Sequence, residues 1–156
     1  MRFGSVTRRD WQPGDRAAAA DLIAAVLAEY GLGWEPGGAD RDVLAVEECY
    51  LDRGGCFWLL EQAGELVGTG AWMPLDLPGV VEIRKMYLRP AVRGQGLGRW
   101  LLMELEASAR AARYRQARVE TASVLREAVR LYEGAGYRPL PEVETARCDR
   151  AYFRDL

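Results

Sequence analysis

The 156-residue chain contains no histidine. That excludes every Ser-His or Cys-His catalytic pair and removes the commonest zinc ligand, so no metal centre is expected. Acid–base chemistry then falls to Glu, Asp, Tyr, Cys or water. Cysteine is scarce as well: Cys49, Cys56 and Cys148 are odd in number and show no C-x-x-C spacing. They suit a reducing cytoplasm better than a disulfide framework or a zinc site. Neither charge dominates, with 21 Lys and Arg against 23 Asp and Glu and a net charge of -2. Composition therefore makes no electrostatic case for nucleic acid or a membrane surface as partner. No apolar run approaches the ~20 residues of a membrane span, and Met1–Val6 lacks the apolar stretch of a signal peptide. Repeats, linkers and low-complexity tracts are also missing. Residues 1–156 are expected to form one domain with a real core.

Glycine, by contrast, is plentiful, and three glycines stand at alternate positions in one stretch, Val81 to Trp100. Val81 to Leu88 is rich in β-branched and aromatic residues and predicts a strand, which Pro90 ends. Leu101, Leu102, Leu105 and Ala109 recur at helical spacing and predict a helix from about Gly96 to Tyr114. Gly94, Gly96 and Gly98 lie between. A glycine turn at a helix start offers unpaired N–H groups, a positive dipole end and close backbone approach, which together suit a phosphate. Arg93 and Arg99 flank it. The P-loop is excluded because no Gly-Lys-Ser/Thr follows. The dinucleotide pattern G-x-G-x-x-G fails because the third glycine falls one residue early and Arg99 stands at the final position. The pattern that fits is Arg93-x-x-Gly96-x-Gly98. The plain alternative is a tight turn using glycine for geometry alone, which needs neither three glycines nor two arginines.

The remaining elements follow from periodicity and turn residues. Arg2–Trp11 reads as a strand. Asp15 is a plausible N-cap for a helix over Arg16–Tyr30, with Ala18, Leu22, Ile23, Val26 and Leu27 as its apolar stripe. Asp40 is expected to cap a second helix to about Leu51, with Val43, Leu44 and Val46 inward. Cys56–Glu61 and Leu66–Leu75 form a hairpin about Ala63-Gly64. A strand over Ala117–Thr121, a helix over Leu125–Glu133 and two closing strands, Tyr137–Leu140 and Cys148–Leu156, complete the order β-α-α-β-β-β-α-β-α-β-β. A second motif lies in the last helix, Ala128-x-x-Leu131-Tyr132-x-x-x-Gly136-Tyr137, with Ala128, Leu131 and Tyr132 on one helix face.

These two motifs, the Glu82-x-x-Lys85-x-Tyr87-Leu88 strand before the glycine turn, and the element order resemble the GNAT family of N-acetyltransferases. The resemblance implies an α/β (α+β) fold, a mixed, mostly antiparallel sheet flanked by about four helices. The strands ending at Leu88 and Val119 would run parallel by a right-handed crossover and splay to admit the pantetheine arm. It implies that Met86, Tyr87, Leu88 and the turn Arg93, Gly94, Gln95, Gly96, Leu97, Gly98 and Arg99 bind acetyl-coenzyme A. It also implies Tyr132 as hydrogen-bond donor or acid to the departing thiolate, and Glu82 as base, directly or through water. Glu120 is the runner-up base. Many relatives carry an Asn before the last helix; here Thr121 or Ser123 stands in that segment. An oxyanion would be met by a backbone N–H near Tyr87 or Leu88. The expected activity is direct acetyl transfer to a small-molecule or peptide amine, and the rival is a non-catalytic acyl-CoA-binding module. Residues 29–52 carry seven acids (Glu29, Glu35, Asp40, Asp42, Glu47, Glu48, Asp52) against Arg41, with Tyr30, Trp34 and Tyr50. They suit either a pocket for a cationic amine or two solvated helix faces. Homodimers are common in the fold, and nothing in the sequence decides that point.

Overall fold

The computed structural model describes residues 1–156. Its frame is one eight-stranded sheet in the order β1-β2-β3-β4-β5-β6-β8-β7. The strands are β1 (Arg2–Phe3), β2 (Val6–Asp10), β3 (Cys56–Gln62), β4 (Glu65–Pro74), β5 (Val80–Leu88), β6 (Gln116–Thr121), β7 (Arg138–Leu140) and β8 (Arg150–Asp155). The helices are α1 (Arg16–Glu29), α2 (Leu97–Ala111) and α3 (Arg126–Gly134). All neighbours pair antiparallel except β5 and β6, which are parallel through Val80↔Gln116, Val81↔Ala117 and Glu82↔Arg118. Past those three pairs the two strands part, as a family-like splay requires.

Side-chain alternation along each strand sends apolar residues to both faces. On β3, Trp58 and Leu60 join the core under α2 and α3, whereas Phe57 and Leu59 join the core under α1. Gly70 on β4 lets α2 sit close: a Cβ there would meet Leu101 Cδ2 at 3.0 Å.

Several local details differ from the sequence reading. The first strand is a small hairpin, because Gly4 adopts φ +57° and folds β1 back on β2. On α1 the buried alanine is Ala19, not Ala18. Asp15 is the N-cap residue of α1 as expected, but its carboxylate turns back to take the Gln12 N–H at 2.8 Å and the two terminal guanidinium nitrogens of Arg9. The second helical segment is a 3-10 turn, Arg41–Leu44, followed by a π turn, Glu47–Leu51. Val43 and Val46 face inward as expected, but Leu44 is exposed. A continuous α-helix would turn residues two apart to different faces. The broken segment lets Asp40 and Asp42 both meet Lys85, at 2.9 and 3.2 Å.

β5 carries the one irregularity that shapes the site. Register with β4 shifts between Thr69 and Ala71, which pair with Tyr87 and Arg84. Lys85 and Met86 are thus bulged, and Lys85 takes φ +55°, a left-handed conformation rare for a residue with a side chain. Thr69 Oγ1 donates to Lys85 O at 2.6 Å and holds the bulge.

Candidate active site

The glycine turn leads from β5 into α2. Gly96 is the N-cap at φ +86°, and Gly94 has φ +75°. Both conformations favour glycine. The N–H groups from Gly94 to Arg99 find no acceptor in the chain. They form a cradle of free donors at a helix start, the chemistry of an anion site. Arg99 is exposed and forms no ion pair. Arg93 is committed elsewhere: its Nε donates to Leu88 O at 2.9 Å, and its two NH groups hold Glu29 at 2.9 Å each. Its charge is thereby neutralised, and it ties the end of β5 to α1. The amides, rather than the Arg93 guanidinium, are the turn's uncommitted donors. Leu97 and Gly98 contribute backbone, since the Leu97 side chain belongs to the core.

A groove of about 200 Å³ runs from this turn along the parted strands. Its walls include Met86, Tyr87 and Leu88 of β5, Arg93, Gly94 and Gly98 of the turn, and Ala128, Leu131 and Tyr132 of α3. The i, i+3, i+4 face of α3 is thus the wall facing β5. Tyr132 is buried, packs beside Tyr137 with ring centroids 5.7 Å apart, and points its hydroxyl at Met86 Sδ, 3.9 Å away. That is a weak bond, so the O–H is free to donate elsewhere. Burial raises its pKa and keeps it protonated. Tyr30 at the end of α1 crosses the mouth of the groove and donates to Glu127 of α3 at 2.8 Å.

Glu82 opens on a second cavity of about 510 Å³, between β5, β6 and the chain before β8. Burial raises the Glu82 pKa, the Arg84 charge opposes that rise, and Glu120, Glu144 and Asp42 add to it. Arg84 Nε lies 3.3 Å from Glu82 Oε1. Glu120 also lines this cavity, but its two oxygens accept the backbone N–H groups of Glu144 and Thr145 at 2.7 and 2.9 Å. It works as a loop anchor. Ser123 is likewise engaged, its N–H and hydroxyl both bonded to Asp149 at 2.6 Å. Cys148 is near both regions, coupled to Tyr132 on one side and to Glu120 and Glu82 on the other; burial pushes its thiol up to about 11, with Glu120 and Glu82 adding to the rise.

A buried ionic cluster gathers around Lys85 of β5. Asp40 is fully buried and receives Lys85 Nζ at 2.9 Å and Arg147 through two bonds of 2.6 and 2.9 Å. Burial works against the Asp40 carboxylate, but hydrogen bonding from Arg147 and the Lys85 charge prevail and hold it at about 2. Asp42 pairs with Lys85 and accepts the Tyr50 hydroxyl. Asp42 Oδ1 has no hydrogen-bond partner despite the nearby Lys85, because the ammonium lies off the bonding direction.

A model of the acetyltransferase (GNAT) family matches residues 21–137, well over half of the chain. The chain belongs to the GNAT acetyltransferase family. With that membership it stands among the acyltransferases. An uncharacterized N-acetyltransferase of Escherichia coli K12, YjgM, is 36% identical over 127 residues, covering 79% of this chain and 76% of that protein. Mouse N-acetyltransferase 8F1 is 31% identical over 102 residues, 62% of this chain but only 46% of the relative. Among solved structures, a GNAT acetyltransferase from Staphylococcus aureus Mu50 superposes with a TM-score of 0.90 at 19% identity, covering 96% of this chain and 98% of that one. The yncA structure from Salmonella typhimurium, solved with acetyl-CoA, gives a TM-score of 0.71 at 22% identity, covering 97% and 93%. No helix is long and apolar enough to cross a membrane.

Of the residues singled out in this GNAT sequence, Met86, Tyr87, Leu88, Arg93, Gly94, Gly98 and Tyr132 share one groove. Gln95, Gly96, Leu97 and Arg99 belong to the turn without lining the groove, and Glu82 lies on the second cavity. Sequence reasoning missed Asp40, Asp42 and Arg147 as a unit. The only local signal was their residue type, since the partners are 45 and 107 positions apart.

Proposed function

We propose that the chain is an N-acetyltransferase that moves an acetyl group from acetyl-CoA to a primary amine by direct transfer. One observation carries this reading: a single groove joins Gly94 and Gly98 of the acceptor-free turn, the open side of Met86–Leu88 and Tyr132. The turn would take the pyrophosphate, and the unpaired β5 backbone would bond the amides of the pantetheine arm. Tyr132 would then meet the sulfur. A phenol near ~10 is a weak acid against a thiol near ~8.5, so a hydrogen bond to the leaving thiolate serves better than full proton transfer. Burial favours that role, because it keeps the phenol neutral.

An ammonium cannot attack a carbonyl. Glu82 removes its proton, directly or through a water, and burial raises the carboxyl towards the pH at which it works. The nitrogen–carbon bond forms and the carbon–sulfur bond breaks; the ammonium's first proton is on Glu82, and the second, lost as the amide forms, passes to the departing thiolate, directly or through water. A backbone N–H near Tyr87 or Leu88 would stabilise the developing oxyanion. Cys148, held as a thiol by burial, is not needed as a nucleophile. Residues 1–156 would act as one domain in the cytoplasm, on a small-molecule or peptide amine.

Two assays test this. Acetyl-CoA should raise the melting temperature; no shift at millimolar ligand overturns cofactor binding. Thiol release with a panel of amines then measures transfer. Binding without release for any amine would instead favour a non-catalytic acyl-CoA-binding module.

A further inference from the structure

Glu82 and Arg84 lie two residues apart on β5, hence on the same face of the sheet. Arg84 Nε sits 3.3 Å from Glu82 Oε1. The NH1 group of the same guanidinium reaches Met73 Sδ at 3.5 Å and Asp42 Oδ2 at 3.9 Å. Asp42 is 3.2 Å from Lys85, Lys85 is 2.9 Å from Asp40, and Asp40 is 2.6 Å from Arg147. Charges therefore alternate from Glu82 to Arg147 without a break. Glu82 is the end of this chain; Arg84 Nε lies against Oε1, and the side chain lines the second cavity.

Apart from Arg118, which stands opposite Glu82 on β6, the other groups that face Glu82 are anionic or neutral. From β6 come Glu120, whose charge disfavours the Glu82 carboxylate, and Arg118, whose Nε is bonded to Gln116 Oε1 at 3.0 Å. The segment before β8 contributes Glu144 and the Cys148 thiol. From the broken helical segment come Asp42 and Tyr50. The turn before β5 places Asp76 on the same cavity. One cation is directly paired with Glu82, and it is Arg84.

We infer that Arg84 is a positioning residue for the transfer: its guanidinium holds Glu82 Oε1, leaves Oε2 to the incoming ammonium, and keeps the carboxylate ionised among its acidic neighbours. The inference rests on the reading of Glu82 as the base. It explains why an arginine is retained in the half-buried middle of a strand, where it is 26% exposed and its fixed charge is costly to desolvate. Burial raises Glu82, and Arg84 is the one group that opposes the rise. Asp42, fixed by Tyr50 and Lys85, in turn keeps the guanidinium from swinging away.

The test compares Arg84→Met and Arg84→Lys with the unmodified protein. The pH profile of kcat/KM for an accepted amine is recorded at saturating acetyl-CoA. An opposite charge at this distance is worth about one pH unit or more. In Arg84→Met the acidic limb should therefore move up by about that much, a roughly tenfold loss on the acid side that is regained at high pH. In Arg84→Lys the limb should return towards its original position, and KM for acetyl-CoA should not change. A uniform loss at every pH, or an unmoved limb, overturns the inference. Carbon-detected NMR titration of the Glu82 carboxyl, assigned by its absence in Glu82→Gln, gives a readout independent of turnover. If Glu82→Gln keeps full activity, the base reading falls. The titration still decides whether Arg84 keeps Glu82 ionised, and an unchanged midpoint in Arg84→Met refutes that. Should Arg84→Met not fold, Arg84→Gln carries the same comparison.

Discussion

Asp40→Asn is the sharpest probe of the buried cluster. The substitution keeps shape and removes one charge. Asp40 now bonds Lys85 at 2.9 Å, Arg147 at 2.6 and 2.9 Å, and the Glu35 N–H at 2.9 Å. An amide has one acceptor oxygen; with it in the place of Oδ1, which accepts from both Lys85 and Arg147, the NH2 group would face Arg147 NH1 and the Glu35 N–H where Oδ2 now accepts. Removing one member of a buried ion pair costs about 3–5 kcal/mol. A second route gives a similar magnitude. The Asp40 carboxyl falls from 3.8 to about 2 on folding, and a drop of nearly two pH units is worth about 2 kcal/mol. The sign follows from linkage. A depressed folded-state pKa means that the unfolded chain binds the proton more readily. This stability is therefore present above pH ~4 and is lost as pH falls towards ~2. Urea denaturation at pH 7 should show Asp40→Asn less stable by about 3 kcal/mol, or roughly 10 °C in Tm for a chain of this size. Between pH ~4 and ~2 the unmodified protein should lose stability more steeply than Asp40→Asn. A double-mutant cycle with Arg147→Met should give a coupling of about 2 kcal/mol. A loss under about 1 kcal/mol for Asp40→Asn, or parallel acid slopes for the two proteins, would refute the reasoning.

Tyr132→Phe should lower kcat by about 10²-fold while the melting temperature and KM for acetyl-CoA stay nearly constant; steady-state thiol release checks it. Gly96→Ala would place a side chain at φ +86°, where the nearest atom, Phe3 Cζ, is 3.6 Å away. The cost is thus backbone strain of about 1–2 kcal/mol, visible in urea denaturation, with a weaker thermal shift from acetyl-CoA. Tyr30→Phe removes the bond to Glu127 across the groove mouth. Stopped-flow association of acetyl-CoA should quicken a few-fold, while stability changes by less than about 1 kcal/mol.

The glycine turn was legible because its shape resides in contiguous backbone: Gly94 and Gly96 take positive φ, and the helix start follows at once. The α3 face was legible for a related reason, since Ala128, Leu131 and Tyr132 obey one local period. Lys85 shows where local reading ends. A left-handed lysine is disfavoured by its own side chain, and here the bulge, Thr69 Oγ1 and two buried aspartates hold it there. The same long-range pairing broke the helix expected over Asp40–Leu51. It also turned two of the seven acids of residues 29–52 from a candidate pocket lining into buried partners of Lys85, Arg84 and Arg147. Arg93 was legible as a motif residue, but its commitment to Glu29, 64 positions away, was not.

The short parallel pairing of β5 with β6 also bears on how the molecule survives in a crowded solution. Beyond Glu82, β5 has no strand paired on its β6 side, an open sheet edge inside the molecule rather than at its rim, with Leu88 O capped by Arg93. Open edges template the stacking of chains into aggregates. This one is recessed between α1 and α3, and the Tyr30–Glu127 bond bars its mouth. The walls leave about 200 Å³ beside it. The unpaired edge thus faces a groove within the fold rather than the rim of the sheet, where edges stack.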